Sequence, residues 1–511
     1  MSGLRLGYVH LSRFPVQRRI KEQPSLAGKP FALIEESRGQ RRVAFASTVA
    51  LKAGIRPGMV MAAACALEPD LATHLYQPEA DRKALASLGE VLMAVGPSFS
   101  LDGPEGLWLD ASAARLCGGE EGLATRVVEI CQEQGYWARV VVGSELFTTR
   151  ALARHGPAKK AEVVPPGRSG PSLAGLPISA LDGTELPAAR SLAALGLTTL
   201  GEVSALPPAA VIARLGASGL RAHRLSRGED DARYVPTPLA EVLEESLELE
   251  WPADALGPLL FPLKTIFDRV CARLAGRKQA AVKLRLRLTL DPDGEQELPL
   301  TLARPSAMPR MLLDLVKHRL EDLKLENPVG AVCVRVEESC EDRGQQLVLG
   351  DEPEGDAALD VVLSRLATAL GEDALFSPEL REEHRPEAAY GEAGFHPPER
   401  ATGLFAEQDR QARAQALEVD PLLSERPTRL FPKPATLEVQ LDERGDLLAA
   451  RIQGKHRRVL TLAGPERLGG EWWEKTPFKR DYYRVFFEGI GPTWIYRDGL
   501  DGRFYLQGMF D

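Results

Sequence analysis

The sequence predicts an α+β protein of several domains, and three observations lead there. Residues 1–164 alternate strand-like and helix-like runs; residues 165–232 break into short helices between glycines and prolines; residues 429–511 read as short strands rich in large aromatic side chains. With 511 residues, 44% of them hydrophobic and 26% charged, the chain is long enough for three or four buried cores.

The first domain, 1–164, takes its strands from LRLGYVHL, FALIE, GLWLDAS and ARVVVG, with amphipathic helical patterns between them. The second, 165–232, contains LPISALDGTELPAARSLAALGLTTLGEV and reads as a small all-helical unit. A proline-flanked connector opens the third domain, 233–376, where helices and alternating strands mix. Residues 377–428 are polar, charged and proline-bearing, which predicts a mobile linker. The last domain, 429–511, places turns such as DERGD and RDGLDGR between its strands. Trp472, Trp473 and Trp494 interleave there with Tyr482, Tyr483, Tyr496 and Tyr505. Such residues fill the core of a small β domain, and they also suit a partner interface.

The net charge of −9 argues against coating nucleic acid through bulk charge, so any DNA contact must use local basic patches. The six cysteines form no CxxC pair and none stands at zinc-finger spacing from a histidine, so they read as reduced thiols. No stretch approaches the length of an apolar membrane span, and MSGLRLGYVHLSRF lacks a signal peptide's apolar run. A cytoplasmic location and no membrane partner are expected.

One strand carries a directional charge pattern. In AAVKLRLRLTL the two-residue period sets Lys283, Arg285 and Arg287 on one face and Val282, Leu284, Leu286 and Leu288 on the other, and Arg277 and Lys278 come just before. That face could track DNA phosphates, or it could be a solvated sheet face.

GYVHLSRFPVQRRIKEQPSLAGKPFALIE, ASTVALKAGIRPGM and SFSLDGPEGLWLDAS, in that order, resemble Y-family DNA polymerases. The resemblance implies a palm and fingers in 1–164, a helix-hairpin-helix thumb in 165–232 and an α+β little finger in 233–376 that binds DNA. It also implies two magnesium ions held between carboxylates. Here the sequence departs from the family. Counting back from PSLAGKP, the family's first metal-ligating Asp falls on His10 and the next ligand position on Ser12. The second acidic pair becomes Asp102 and Gly103 if aligned from the left, or Glu105 and Gly106 if aligned from the right. The triphosphate-contacting Tyr and Arg fall on Thr48 and Leu51, and the ribose-screening aromatic on Pro15. In the thumb hairpin Gly183 remains, but Glu185 replaces the second phosphate-approaching glycine. Loss of several functions beside persistent turn motifs is the pattern of a pseudo-enzyme with no cofactor.

The missing acids, LWLDASAARLCGGEEGL and the tail from GPERLGGEWWEKTPFKRDYYRVFFEGIGPTWIYRDG onward resemble the ImuB group, polymerase-like subunits of bacterial mutagenesis cassettes. That resemblance implies damage-induced mutagenesis by translesion synthesis on damaged primer-template DNA. Its implied partners are the sliding clamp, an error-prone C-family polymerase alpha subunit and a RecA-like ImuA-type protein. Ala401–Phe405 exposes a Leu404–Phe405 pair among charges, as a clamp-binding peptide does, although without the usual Gln; anchoring the linker is the other reading. Leu430–Phe431 reads instead as the start of the final domain's first strand. Two alternatives stand beside the non-catalytic expectation: a divergent polymerase with magnesium held by Asp102, Glu105 and Asp110, and a protein scaffold that never touches DNA.

Overall fold

The computed structural model describes residues 4–342 apart from 38, 184, 185, 322, 324 and 326; 362–366; 375–394 apart from 382 and 384; 426–470 apart from 428; and 477–510. The chain divides into two compact units, residues 1–300 with 305–343, and residues 301–304 with 344–511.

In the first unit, the central strand β1 (Leu6–His10) is followed by α1 (Phe14–Glu22) and by a small sheet. That sheet comprises β2 (Phe31–Ser37), β3 (Gln40–Ala46) and β4 (Ala72–Leu75) in the order β3-β2-β4, with α2 (Thr48–Lys52) and α3 (Met61–Leu67) inserted. The PSLAGKP turn enters β2 because Gly28 takes φ +75°, a conformation costly for residues with a Cβ. Ser47 then ties that turn to α2. Its hydroxyl donates to the Lys29 carbonyl at 3.1 Å and accepts from the amides of Phe31 and Ala50.

The chain continues through α4 (Pro78–Leu92), β5 (Phe99–Leu101), β6 (Gly106–Asp110), α5 (Glu120–Glu133), β7 (Arg139–Gly143), α6 (Leu146–His155) and β8 (Ala161–Val163). The larger sheet has the order β5-β6-β1-β7-β8. Because β1 is central, both of its faces are buried. Val9 packs with Leu85, Leu88, Val127 and Val128 from α4 and α5, while Tyr8 packs with Phe147 and Ala151 from α6 and with the helical segment beyond. That segment holds α7 (Ser169–Leu173), α8 (Leu186–Ala194), α9 (Leu200–Ser204) and α10 (Pro208–Ser226). A capping box between Thr199 and Glu202 starts α9.

The remainder of this unit runs β9 (Leu243–Ala253), α11 (Leu256–Gly276), β10 (Gln279–Leu290), β11 (Glu295–Ser306), α12 (Pro309–Glu321) and β12 (Val329–Glu341). The sheet order is β11-β10-β12-β9, the split β-α-β-β-α-β arrangement. Leu284, Leu286 and Leu288 of β10 are fully buried, and Arg285 and Arg287 alternate with them on the other face, as the strand period requires.

In the second unit, β13 (Phe376–Leu380) and β14 (Tyr390–Gly394) pair as a hairpin, and β15 (Arg429–Leu441), β16 (Leu447–Ile452), β17 (Lys455–Gly470), β18 (Phe478–Phe487), β19 (Pro492–Asp498) and β20 (Phe504–Met509) close into a barrel. The hairpin corrects the linker reading for residues 377–394. Glu387, in its connection, accepts from Arg480 at 2.9 Å and from Gln507 at 2.6 Å, so this stretch is fixed to the barrel by a charge-assisted contact. Tyr482, Trp494 and Tyr496 are buried together, with Tyr482 stacked on Trp494 at 4.1 Å between ring centroids. Trp472 and Trp473 lie outside the described residues, as does Glu185 of the thumb-like hairpin.

Candidate functional site

The expected catalytic positions converge where β1, β6 and α6 meet. Antiparallel pairing sets His10 opposite Gly106 on one side and opposite Arg139 on the other, and Tyr8 opposite Trp108. Asp102 stands in the β5–β6 turn. Its carboxylate accepts from the Tyr8 hydroxyl at 2.7 Å and from Arg154 at 3.2 Å, and Arg150 lies 3.6 Å away. The two arginines, four residues apart on α6, also hold Asp182 at 3.1 and 2.8 Å. Arg154 donates to the Tyr8 hydroxyl at 3.0 Å as well. Two carboxylates thus face two guanidinium groups, with Tyr8 fully buried between them.

The other acid has a different task. The Glu105 carboxylate accepts from the backbone amide of Arg13, the residue preceding α1, whose φ of +53° turns the chain into that helix. Asp110 likewise receives the Ser112 amide at 2.8 Å. His10 is largely buried, and its Nδ1 has no hydrogen-bond partner among the described residues. Burial pushes its imidazole down to about 4, and the Arg154 charge acts in the same direction.

Magnesium requires hard oxygen ligands at short range, several of them anionic. The groups present do not suit it. Asp102 is already neutralised by guanidinium groups, Glu105 caps a helix, and His10 is a neutral base beside a cation. A second acid at position 106 meets a steric bar, because a Cβ there would lie 2.2 Å from the Tyr8 hydroxyl oxygen. Gly103, on the exposed turn with φ +63°, lies clear of that contact.

The expected nucleotide positions are occupied by packing groups. Pro15 is buried in the first turn of α1. Thr48 is exposed and receives a hydrogen bond from Arg13 at 3.1 Å, and Leu51 packs on the small core around Ala50, Ile55 and Ala64. Ser12 is exposed, its carbonyl accepting from Gln17 at 2.9 Å.

On the outer face of β10 the three cations do lie side by side, but neighbouring strands bring acids to each. Arg285 meets Glu337 at 2.6 Å and Glu297 at 2.7 Å, Arg287 meets Glu295 at 3.0 Å, and Lys283 lies 3.7 Å from Glu338. Arg277 departs from the expected DNA-facing run. Its side chain is 9% exposed and meets Glu90 of α4 at 2.9 Å, beside Arg273, which bonds Glu90 at 2.7 Å and Glu245 at 2.6 Å. Sequence period alone could not place it, because Arg277 follows a helix rather than lying in the strand. Lys278 is exposed with φ +55°. Leu404 and Phe405 lie outside the described residues. Tyr8, Arg150, Arg154 and Asp182 were absent from the sequence-based site; the spacing of Arg150 and Arg154 on a helix was their one available signal.

Residues 9–151 match the impB/mucB/samB family. The chain is 29% identical over 477 residues to Protein ImuB of Caulobacter vibrioides, covering 89% of this chain and all of that protein. It is 27% identical over 232 residues to DNA polymerase IV of Methanoculleus marisnigri, covering 44% of this chain and 63% of that one. Among solved structures, DinB from Sulfolobus solfataricus aligns with 65% of this chain and 98% of its own at 16% identity, with a TM-score of 0.39. The chain thus carries an impB/mucB/samB-type domain over residues 9–151 and is similar along most of its length to Protein ImuB.

Proposed function

We propose that this protein is a non-catalytic accessory factor in DNA damage tolerance, which binds primer-template DNA and links the sliding clamp to an error-prone C-family polymerase during translesion synthesis. A RecA-like ImuA-type protein completes the proposed assembly. One observation carries the non-catalytic reading: Asp102, one of the two carboxylates on which the family's second acidic motif could fall, is held by Arg150, Arg154 and Tyr8. A divalent ion could enter only by displacing two guanidinium groups from a partly buried carboxylate. The residues that remain act as a scaffold. Tyr8 and Arg154 join the central strand to α6, and Asp182 extends the same network into the helical segment.

DNA binding is assigned to the outer face of β10, where Lys283, Arg285 and Arg287 would exchange their glutamate partners for phosphates, with Lys278 nearby. Exchange of exposed partners costs little, since such ion pairs are worth about 0–1 kcal/mol each. The clamp contact is assigned to Leu404 and Phe405.

Primer extension with purified protein in magnesium or manganese tests the central claim. No templated incorporation is expected. Extension that disappears on Asp102→Ala or Glu105→Ala overturns the proposal and makes the protein a divergent polymerase.

A further inference from the structure

The two ends of the barrel differ in charge. The β15–β16 turn brings Asp442, Glu443 and Asp446 with Arg444 to one end, and the β19–β20 turn brings Asp498 and Asp501 with Arg503 to the same end, five acids against two cations. The other end is formed by the β16–β17 turn, the β18–β19 turn, which carries one acid, Glu488, and the beginning of β15. There the chain reads Arg451-Ile452-Gln453-Gly454-Lys455-His456-Arg457-Arg458, with four permanent cations, one histidine and no acid, in a protein of net charge −9.

Strand register shows where these side chains point. Ile452 pairs with Lys455 and Ala450 with Arg457, and both Ile452 and Ala450 belong to the barrel core. Cross-strand partners share a face, so Lys455 and Arg457 rise from the inner face at the rim. Arg451, His456 and Arg458 stand on the outer face by the same rule. Among the described residues, no carboxylate pairs with Lys455, His456, Arg457 or Arg458. Arg457 donates to the Glu488 carbonyl at 2.9 Å, and its buried Nε has no partner. Arg451 meets Glu438 at 3.3 Å, in a pair exposed on both sides. Beside this turn an open cavity is lined by apolar Phe431, Ile452, Ile490 and Met509 together with Gln453 and Thr493, and its own cations are Lys433 and Arg451.

We propose that this end of the barrel is a binding site for single-stranded DNA, with Lys455, Arg457 and Arg458 contacting phosphates and the cavity beside Phe431 receiving an unstacked base. Charge complementarity selects a polyanion. A largely apolar slot beside a cationic turn selects single strand over duplex, because duplex bases are stacked away from any such slot. The site is separate from the β10 face and does not depend on it.

The test uses the full-length protein and a fluorescently labelled oligo-dT, with anisotropy measured across a potassium chloride series. Lys455→Ala with Arg457→Ala and Arg458→Ala should lower the salt slope by about 2, at about 0.7 per single-strand phosphate contact. At 0.1 M salt that corresponds to about a hundredfold weaker binding. Phe431→Ala should weaken binding about 5- to 150-fold with the slope unchanged, since stacking releases no counterions. Because Arg457 also bonds a backbone carbonyl, Lys455→Glu with Arg458→Glu serves as the second variant, and it leaves that bond intact. Failure of the natural protein to bind oligo-dT overturns the proposal. So does an unchanged slope in the folded Lys455→Glu, Arg458→Glu variant, or loss of oligo-dT binding only in a Lys283→Ala, Arg285→Ala, Arg287→Ala variant. If the Lys455→Glu, Arg458→Glu variant keeps oligo-dT binding but loses capture of an acidic peptide or of anionic vesicles, the site serves that ligand and the proposal fails.

Discussion

Replacing Gly106 by Ala should destabilise the N-terminal unit severely, although it adds one methyl group. The new Cβ would sit 2.2 Å from the Tyr8 hydroxyl oxygen and 2.6 Å from the ring carbon that bears it, so something must shift by more than 1 Å. Tyr8 is poorly able to shift. It is fully buried, donates to Asp102 at 2.7 Å, accepts from Arg154 at 3.0 Å and packs edge-on to Trp108 at 5.1 Å between centroids. Overpacking costs about 1–3 kcal/mol, and a hydrogen bond to a charged partner contributes about 1.5–3 kcal/mol. Loss of one such bond together with the strain gives about 3–6 kcal/mol. Urea unfolding followed by circular dichroism and Trp fluorescence measures it. In a double-mutant cycle, Tyr8→Ala should remove most of the additional cost of Gly106→Ala, since the obstructing ring is gone. A cost below about 1 kcal/mol for Gly106→Ala, or simple additivity with Tyr8→Ala, refutes the steric argument. By the same argument His10→Asp with Gly106→Glu should not yield a polymerase, because the second carboxylate has no room.

Other perturbations probe the rest of the molecule. Glu90→Ala leaves Arg273 and Arg277 buried without their shared acid and should cost about 3–5 kcal/mol in thermal or denaturant unfolding, whereas Glu90→Leu with Arg273→Met should recover much of it. His10 has a folded value of about 4 against 6.5 unfolded, so between those values the unfolded chain binds a proton that the folded chain refuses. Stability should therefore fall as pH drops from about 6.5 to about 4, by at most about 3 kcal/mol, and His10→Gln should flatten that limb of the pH–stability curve. Lys283→Ala with Arg285→Ala and Arg287→Ala should reduce the salt slope for duplex DNA by up to about 2.7, and an unchanged slope in a folded variant removes this face from the interface. Leu404→Ala with Phe405→Ala should weaken clamp binding by about two to four decades in surface plasmon resonance, with thermal stability unchanged; retained binding moves the contact elsewhere.

What was legible in the sequence was whatever depends on local chain chemistry. The PSLAGKP turn and the alternation in β10 state their geometry in consecutive residues, and both adopt it. That His10 and Ser12, and either Gly103 or Gly106, offer no carboxylate could also be read directly. What could not be read was the set of partners supplied by distant segments. The cations of β10 read as an unbroken basic face because their acids, Glu295, Glu297, Glu337 and Glu338, lie on two other strands. Arg277 looked like part of that face because nothing near it in sequence announces Glu90, 187 residues away. Glu387 looked like linker because Arg480 is 93 residues further on.

The palm-like centre combines both kinds of information. A partly buried carboxylate is a liability wherever it stands, since the charge needs a counter-charge or it destabilises the fold. Asp102 is 18% exposed and has three partners, two of them cationic, all contributed by β1 and α6. Its place in the fold is accounted for by the network that holds it. Asp102→Asn should for that reason cost stability, as two guanidinium groups lose part of their neutralisation, even in a protein that incorporates no nucleotide. A true metal ligand would behave in the opposite way, because removing one of several clustered acids relieves repulsion in the metal-free protein. The sign of the stability change for Asp102→Asn thus separates a counter-ion from a ligand without any activity assay.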